Sequence, residues 1–202
     1  MTRRAVLALL LASAFAVNTG AAAGPDQPQA VVERLQSALL EAMKQAKTLG
    51  YEGRYGILAP VLRDTYDFAF VARISAGPFW ARWSDMQRQQ LTDAVAEMSI
   101  ATYASRFDGF SGERFETLGE GPGPRDTTVV KTRIVRPNDS PVPLDYVLSP
   151  TGDSWRIVDV LLDGKFSELA KQRAEFGAIL KNDGLPELLD RLAQRVQQMR
   201  QG

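Results

Sequence analysis

Apolar positions divide the 202-residue chain into a hydrophobic head and three patterned zones. Residues 27–107 show helical spacing, 113–162 strand-like spacing, and 165 to the end helical spacing again. Helices, then a block of strands, then helices is the order of an α+β fold rather than of repeated strand–helix–strand units. Val31, Leu35, Ala38, Leu39, Ala42 and Ala46 recur at three- and four-residue steps, which predicts a helix over 28–48 with one buried stripe. A second helical piece starts near Gly53, with Tyr55, Leu58 and Leu62 on one face and Pro60 in an early turn or bending it. Residues 67–72 open a short, very apolar helix, and Gly77-Pro78 punctuate it. Ser84-Asp85-Met86-Gln87 is a capping box, with the Ser84 hydroxyl and the Gln87 side chain each positioned for the other's backbone N–H. It starts the longest helix, 85–107, whose stripe is Leu91, Val95, Met98, Thr102 and Phe107 and which ends at Asp108-Gly109.

Four strands are expected over 113–120, 127–136, 142–149 and 155–162. Each break between them is rich in Gly, Pro, Asn or Asp, as short antiparallel connections require. Val142, Leu144, Tyr146 and Leu148 share a face in the third strand, and Val130 and Ile134 oppose Lys131, Arg133 and Val135 in the second. Simple alternation in the fourth puts Trp155, Ile157 and Leu161 on one face and Val158 and Val160 on the other. Two helices close the chain, 165–180 and 185–199, separated by Asn182-Asp183-Gly184. The order reads as an α+β chain with four strands joined by short antiparallel connections.

The head is an address. Arg3 and Arg4 precede residues 5–17, apolar except for Ser13, and Ala21-Ala22-Ala23 supplies small residues for cleavage. Residues 1–23 are therefore expected to be a signal peptide, and 24–202 a single exported domain, periplasmic in a two-membrane bacterium. The apolar run is too short for a spanning helix, which needs about 20 residues. Formal charge is zero over the whole chain, and removing two arginines leaves the mature part near −2. That balance gives no electrostatic reason to bind nucleic acid.

Composition then removes whole classes of chemistry. With no Cys there is no disulfide, thiol nucleophile or iron–sulfur cluster, and with no His no Ser-His-Asp triad or imidazole metal ligand. The acids show no distinctive metal-ligand spacing, and the prolines of Gly121-Pro122-Gly123-Pro124 remove amide donors that a phosphate loop needs. Asp64 and Asp67, three apart, are read as helix caps before the 68–72 segment. Aromatic residues are denser: Phe68, Phe70, Phe79, Trp80, Trp83, Tyr103 and Phe107 crowd the first helical zone, and Tyr146, Trp155 and Phe176 can face them. Such a set fills a core or lines a hollow, and composition alone leaves both open.

Three stretches resemble a known family. They are Tyr66-Asp67-Phe68 with Gly77-Pro78-Phe79-Trp80, Ser84 and Gln87-Arg88; Trp155-Arg156-Ile157-Val158-Asp159-Val160; and Arg173 to Phe176, Ile179, Gly184-Leu185, Leu188-Leu189 and Leu192. Together they are similar to MlaC, the periplasmic phospholipid shuttle also called the toluene-tolerance auxiliary component. Residues 162–169 resemble its hopanoid-associated branch, HpnM, most closely. The resemblance implies an α+β fold with helices wrapped around a twisted, mainly antiparallel four-stranded sheet, an internal hydrophobic cavity between helices and sheet, a phospholipid or hopanoid as bound ligand, no cofactor beyond that ligand, inner- and outer-membrane lipid transport complexes as partners, and a monomer. Candidate lining residues on that reading are Phe68, Phe70, Trp80, Met98, Tyr103, Val130, Ile134, Tyr146, Leu148 and Ile157. Arg73, Arg82 and Arg133 are candidates for the head group. Two readings stand beside the carrier: a small-molecule enzyme on a cone-shaped α+β scaffold, with Asp67 or Asp159 as base, and a non-binding envelope adaptor with a solid core.

Overall fold

The computed structural model describes residues 27–201; the expected signal peptide lies outside them. Helix α1 (Pro28–Lys44) starts with proline in its first turn, where a missing N–H costs nothing, and ends with Lys44 at the negative end of the helix dipole. The expected 28–48 helix is broken at Gln45, whose backbone leaves the helical region and serves both α1 and α2 (Ala46–Thr65). Gly50, at φ 58° and ψ −169°, kinks α2 five residues in, and Pro60 lies further along inside it. Helix α3 (Phe68–Ala76) is capped by Asp67, whose carboxylate accepts from the Phe70 N–H at 2.8 Å. A 3-10 turn (Gly77–Arg82) leads to α4 (Asp85–Arg106), which opens on the full capping box of Ser84 and Gln87.

Strands β1 (Arg114–Pro122), β2 (Thr128–Val135), β3 (Val142–Thr151) and β4 (Ser154–Leu162) follow as antiparallel hairpins. The sheet has a fifth strand that the sequence pattern does not announce, β5 (Phe166–Ser167), paired with Leu161 and Leu162 in the order β1-β2-β3-β4-β5. Its cause is local. Asp163 and Gly164, at φ 52° and 68°, turn the chain back onto β4 before a helix can begin. Ser167 then caps α5 (Glu168–Asn182) by accepting from the Ala170 N–H, so that helix starts three residues later than its periodicity suggests. Helix α6 (Gly184–Gln201) ends the described chain.

Register corrects the expected faces of β4. Leu148, Tyr146 and Leu144 pair with Ile157, Val160 and Leu162, and the register shifts between the first two pairs. Val158 is the extra residue of a β-bulge, so Ile157, Val160 and Leu162 share the inner face and Leu161 points the other way. On the free side of β4, Tyr66 forms a parallel bridge to Ile157 and the Asp67 N–H donates to its carbonyl at 3.0 Å. The joint between α2 and α3 is thereby pinned to the sheet.

Leu35 and Leu39 of α1, Leu58 and Leu62 of α2, and Tyr146, Leu148 and Ile157 of the sheet are fully buried together. Each such large side chain contributes about 1.5–3 kcal/mol through burial. Several polar groups inside this core are paired, the Gln36 amide donating to the Thr132 hydroxyl at 3.2 Å and buried Arg54 to the carbonyls of Ala104 and Ala46 at 2.8 and 3.3 Å, whereas the Tyr146 and Ser75 hydroxyls are buried without a partner. Among the described residues, no helix is long and apolar enough to cross a membrane.

Candidate functional site

A pocket of about 560 Å³ lies between α4, α5 and α6 on one side and the inner face of β2, β3 and β4 on the other. Helical spacing aims Val95, Met98 and Thr102 of α4 at it, one turn apart. Antiparallel pairing puts Ile134, Val142, Leu144, Val160 and Leu162 on its floor, because opposed residues share a face. Leu169 and Phe176 of α5 and Leu192 and Met199 of α6 complete the apolar wall.

Two tyrosines are among its polar lining residues. The hydroxyls of Tyr66 and Tyr103 lie 2.6 Å apart and satisfy each other. Tyr66 stacks on Phe68 with ring centroids at 5.3 Å, and Tyr103 on Phe107 at 5.7 Å. Burial, the main cause, pushes the Tyr103 phenol up to about 12 and the Tyr66 phenol well above its usual value, so both are neutral near pH 7. The lining also carries charged and polar side chains, Arg106 at the end of α4, Glu168, Lys171, Gln172 and Glu175 on α5, and Arg195 on α6.

Of the residues singled out in the sequence, Phe68, Met98, Tyr103 and Ile134 line this pocket. Val130, Tyr146, Leu148 and Ile157 do not; they are fully buried in the packed core and none lines the pocket. Phe70 and Trp80 stand off it as well. Phe70 carries the Arg73 guanidinium 5.1 Å above its ring, while Trp80 packs beside Trp83 under the Arg88 guanidinium. The three head-group candidates lie elsewhere. Arg73 and Arg82 are exposed outside the pocket, and Arg133, on the opposite face of β2 from Ile134, is bonded to Glu116 at 2.6 Å. That guanidinium, with Arg114 on the other side, holds the Glu116 carboxyl below its ordinary value.

The contributions of α5 and α6 were visible only as inward-facing helical stripes; nothing in their spacing separates a wall residue from a filler. Both acids of the enzyme reading are engaged in structure. Asp67 caps α3, and Asp159 accepts from the backbone N–H groups of Val160 and Leu169 and from the Ser167 hydroxyl. Chemically, the arrangement offers an apolar enclosure with a polar rim.

Helices closed over one face of an antiparallel sheet, with an oily pocket between, define an α+β binding fold. The MlaC protein family model matches residues 33–194, and the chain belongs to that family. The match does not single out the hopanoid-associated branch. No curated protein sequence matches the chain. Among solved structures it is similar to the phospholipid-binding protein from Ralstonia solanacearum in complex with a phospholipid, at 20% identity and a TM-score of 0.71, covering 85% of this chain and 95% of that one. At that identity the likeness speaks to the fold.

Proposed function

We propose that this protein is a periplasmic lipid carrier that takes the apolar part of a phospholipid into the α4–α5–α6 pocket and shuttles it between membranes. The observation that carries the reading is the pocket itself, about 560 Å³ with Met98, Ile134, Leu144, Val160, Phe176 and Leu192 in its wall. Family membership and the phospholipid named for the Ralstonia structure support it. Each CH₂ transferred from water contributes about 0.8 kcal/mol, so one sixteen-carbon chain contributes roughly 12 kcal/mol gross. A bilayer offers nearly the same, so the carrier must match the membrane and needs no catalytic group. Loss of the guest into water is correspondingly slow, which calls for docking to membrane lipid transport complexes at loading and release. The leader-like residues 1–23 supply the export route, and the carrier works as a monomer.

The enzyme reading has less support, since Asp67 and Asp159 are both committed as caps. Native mass spectrometry of protein purified from its own host, before and after denaturation, tests the proposal. The expected result is a phospholipid mass at sub- to near-stoichiometric occupancy. A lipid-free protein that also takes up no added phospholipid overturns it, and a polycyclic guest moves the ligand to the hopanoid class.

A further inference from the structure

We infer that the aromatic, arginine-bearing face built by the 3-10 turn and its neighbours on α3, α4 and α5 docks onto an anionic phospholipid membrane surface. The inference goes beyond the carrier reading, because this face lies outside the pocket and needs no bound guest. The 3-10 turn (Gly77–Arg82) contains no buried residue, although Phe79 and Trp80 lie in it. Trp83 follows, its ring 6.1 Å from that of Trp80, and Met86 in the first turn of α4 is 73% exposed. None of these four apolar side chains lines the pocket. Tryptophan, with an apolar body and a polar N–H, is the side chain that settles at the level of lipid head groups.

Charge decides what covers this face. The Arg73 carbonyl at the end of α3 accepts from the Gly77 N–H, and a side chain placed at Gly77 would meet the Arg173 guanidinium of α5 at 3.9 Å, so both arginines flank the start of the turn. Arg82 ends it. Arg88 of α4 lies 5.8 Å over the Trp80 ring, and its Nε–H donates to the Trp80 carbonyl at 3.1 Å. Arg88 pairs with Asp85 at 3.2 Å, whereas exposed Arg73, Arg82 and Arg173 make no ion pair among the described residues. Residues 68–92 hold three arginines against one acid, Asp85, in a mature chain whose formal charge is near −2. These cations come from four separate elements. That spread suits a diffuse layer of phosphates over hydrocarbon better than the localised carboxylates of an acidic protein, with guanidinia on the phosphates and the indoles and Met86 below them.

The test is co-sedimentation of the exported chain with two kinds of vesicle, phosphatidylglycerol mixed equally with phosphatidylcholine, and phosphatidylcholine alone. The protein is expected to bind the mixed vesicles about tenfold or more tighter than the neutral ones, and to be released by about 0.5 M NaCl. Arg73→Gln and Arg82→Gln together should weaken that binding about tenfold, and Met86→Ser about twofold to threefold. Lys131→Gln with Lys165→Gln removes the same charge from exposed positions on β2 and the β4–β5 turn, and should change it by less than about twofold. Far-UV circular dichroism checks each fold, and the salt release of the unaltered protein stands if the arginine pair misfolds. Equal binding to both vesicles, indifference to salt, or equal weakening by the lysine control overturns the docking face. Binding to neither vesicle overturns it too and makes an acidic protein the partner to seek. Sedimentation that persists while the recovered protein carries no phospholipid leaves the face standing and overturns the carrier reading instead.

Discussion

One sheet serves two unlike halves of this molecule. Where α1 and α2 meet it, Leu35, Leu39, Leu58 and Leu62 share one fully buried cluster with Tyr146, Leu148 and Ile157. Where α4, α5 and α6 meet it, the same inner face leaves a pocket. The difference lies in side-chain shape along one helix. On α4, Leu91 and Val95 are buried, whereas Met98, Ser99, Thr102 and Tyr103 further along remain only partly buried. Short hydroxyl residues beside one flexible Met do not fill the space that a run of leucines fills. Solid packing and an open pocket thus arise from adjacent stretches of one fold.

That contrast can be broken or sharpened by measurement. The largest effect is expected from Leu39→Ala in the packed half, which should lose about 2–5 kcal/mol in urea unfolding because its neighbours cannot collapse into the gap. A loss well under 1 kcal/mol would dissolve the distinction between the halves. Next comes alkaline pH. Tyr66, Tyr103 and Tyr146 have raised phenols in the folded state, so the folded form holds protons that the unfolded form gives up. Their stabilisation is present below pH 10 and should fall as pH rises from 10 through about 12; a flat unfolding midpoint over that window contradicts it. Met98→Glu should leave the circular dichroism spectrum and most stability intact while lipid retention drops, because the carboxylate enters an already open space. The smallest effect is expected for Tyr146→Phe, within about 1 kcal/mol, since the buried Tyr146 hydroxyl has no partner to lose.

Much of the architecture was legible because it is written in local chemistry. The Ser84 capping box, the Asp67 cap and the Gly/Pro/Asp breaks between strands each act within a few residues. What escaped is what local spacing does not encode. A period-two count has no place for the extra residue at Val158, so it assigned Val160 and Leu161 to the wrong faces. A two-residue strand such as β5 has no period at all, and only the turn at Asp163 and Gly164 creates it. Site residues divide for a similar reason. Val130, Tyr146 and Leu148 share a face with Ile134, Val142 and Leu144, and alternation identifies that face correctly. Which end of the face lies under the leucines of α1 and α2, and which under the pocket, depends on helix placement, a long-range matter. The arginines show the same limit: Arg133 and Ile134 are chain neighbours on opposite sides of the sheet.

Asp159 gives that geometry a mechanical side. It grows from β4, and its carboxylate accepts from the Leu169 N–H at 2.9 Å and from the Ser167 hydroxyl, linking the first turn of α5 to the sheet. Gln172 and Phe176, in the pocket wall, ride on the turns just beyond. The first turn of α5 is thus tied to the sheet twice, through the Asp159 carboxylate and through the pairing of β5 with β4, immediately before the turns that build the pocket wall.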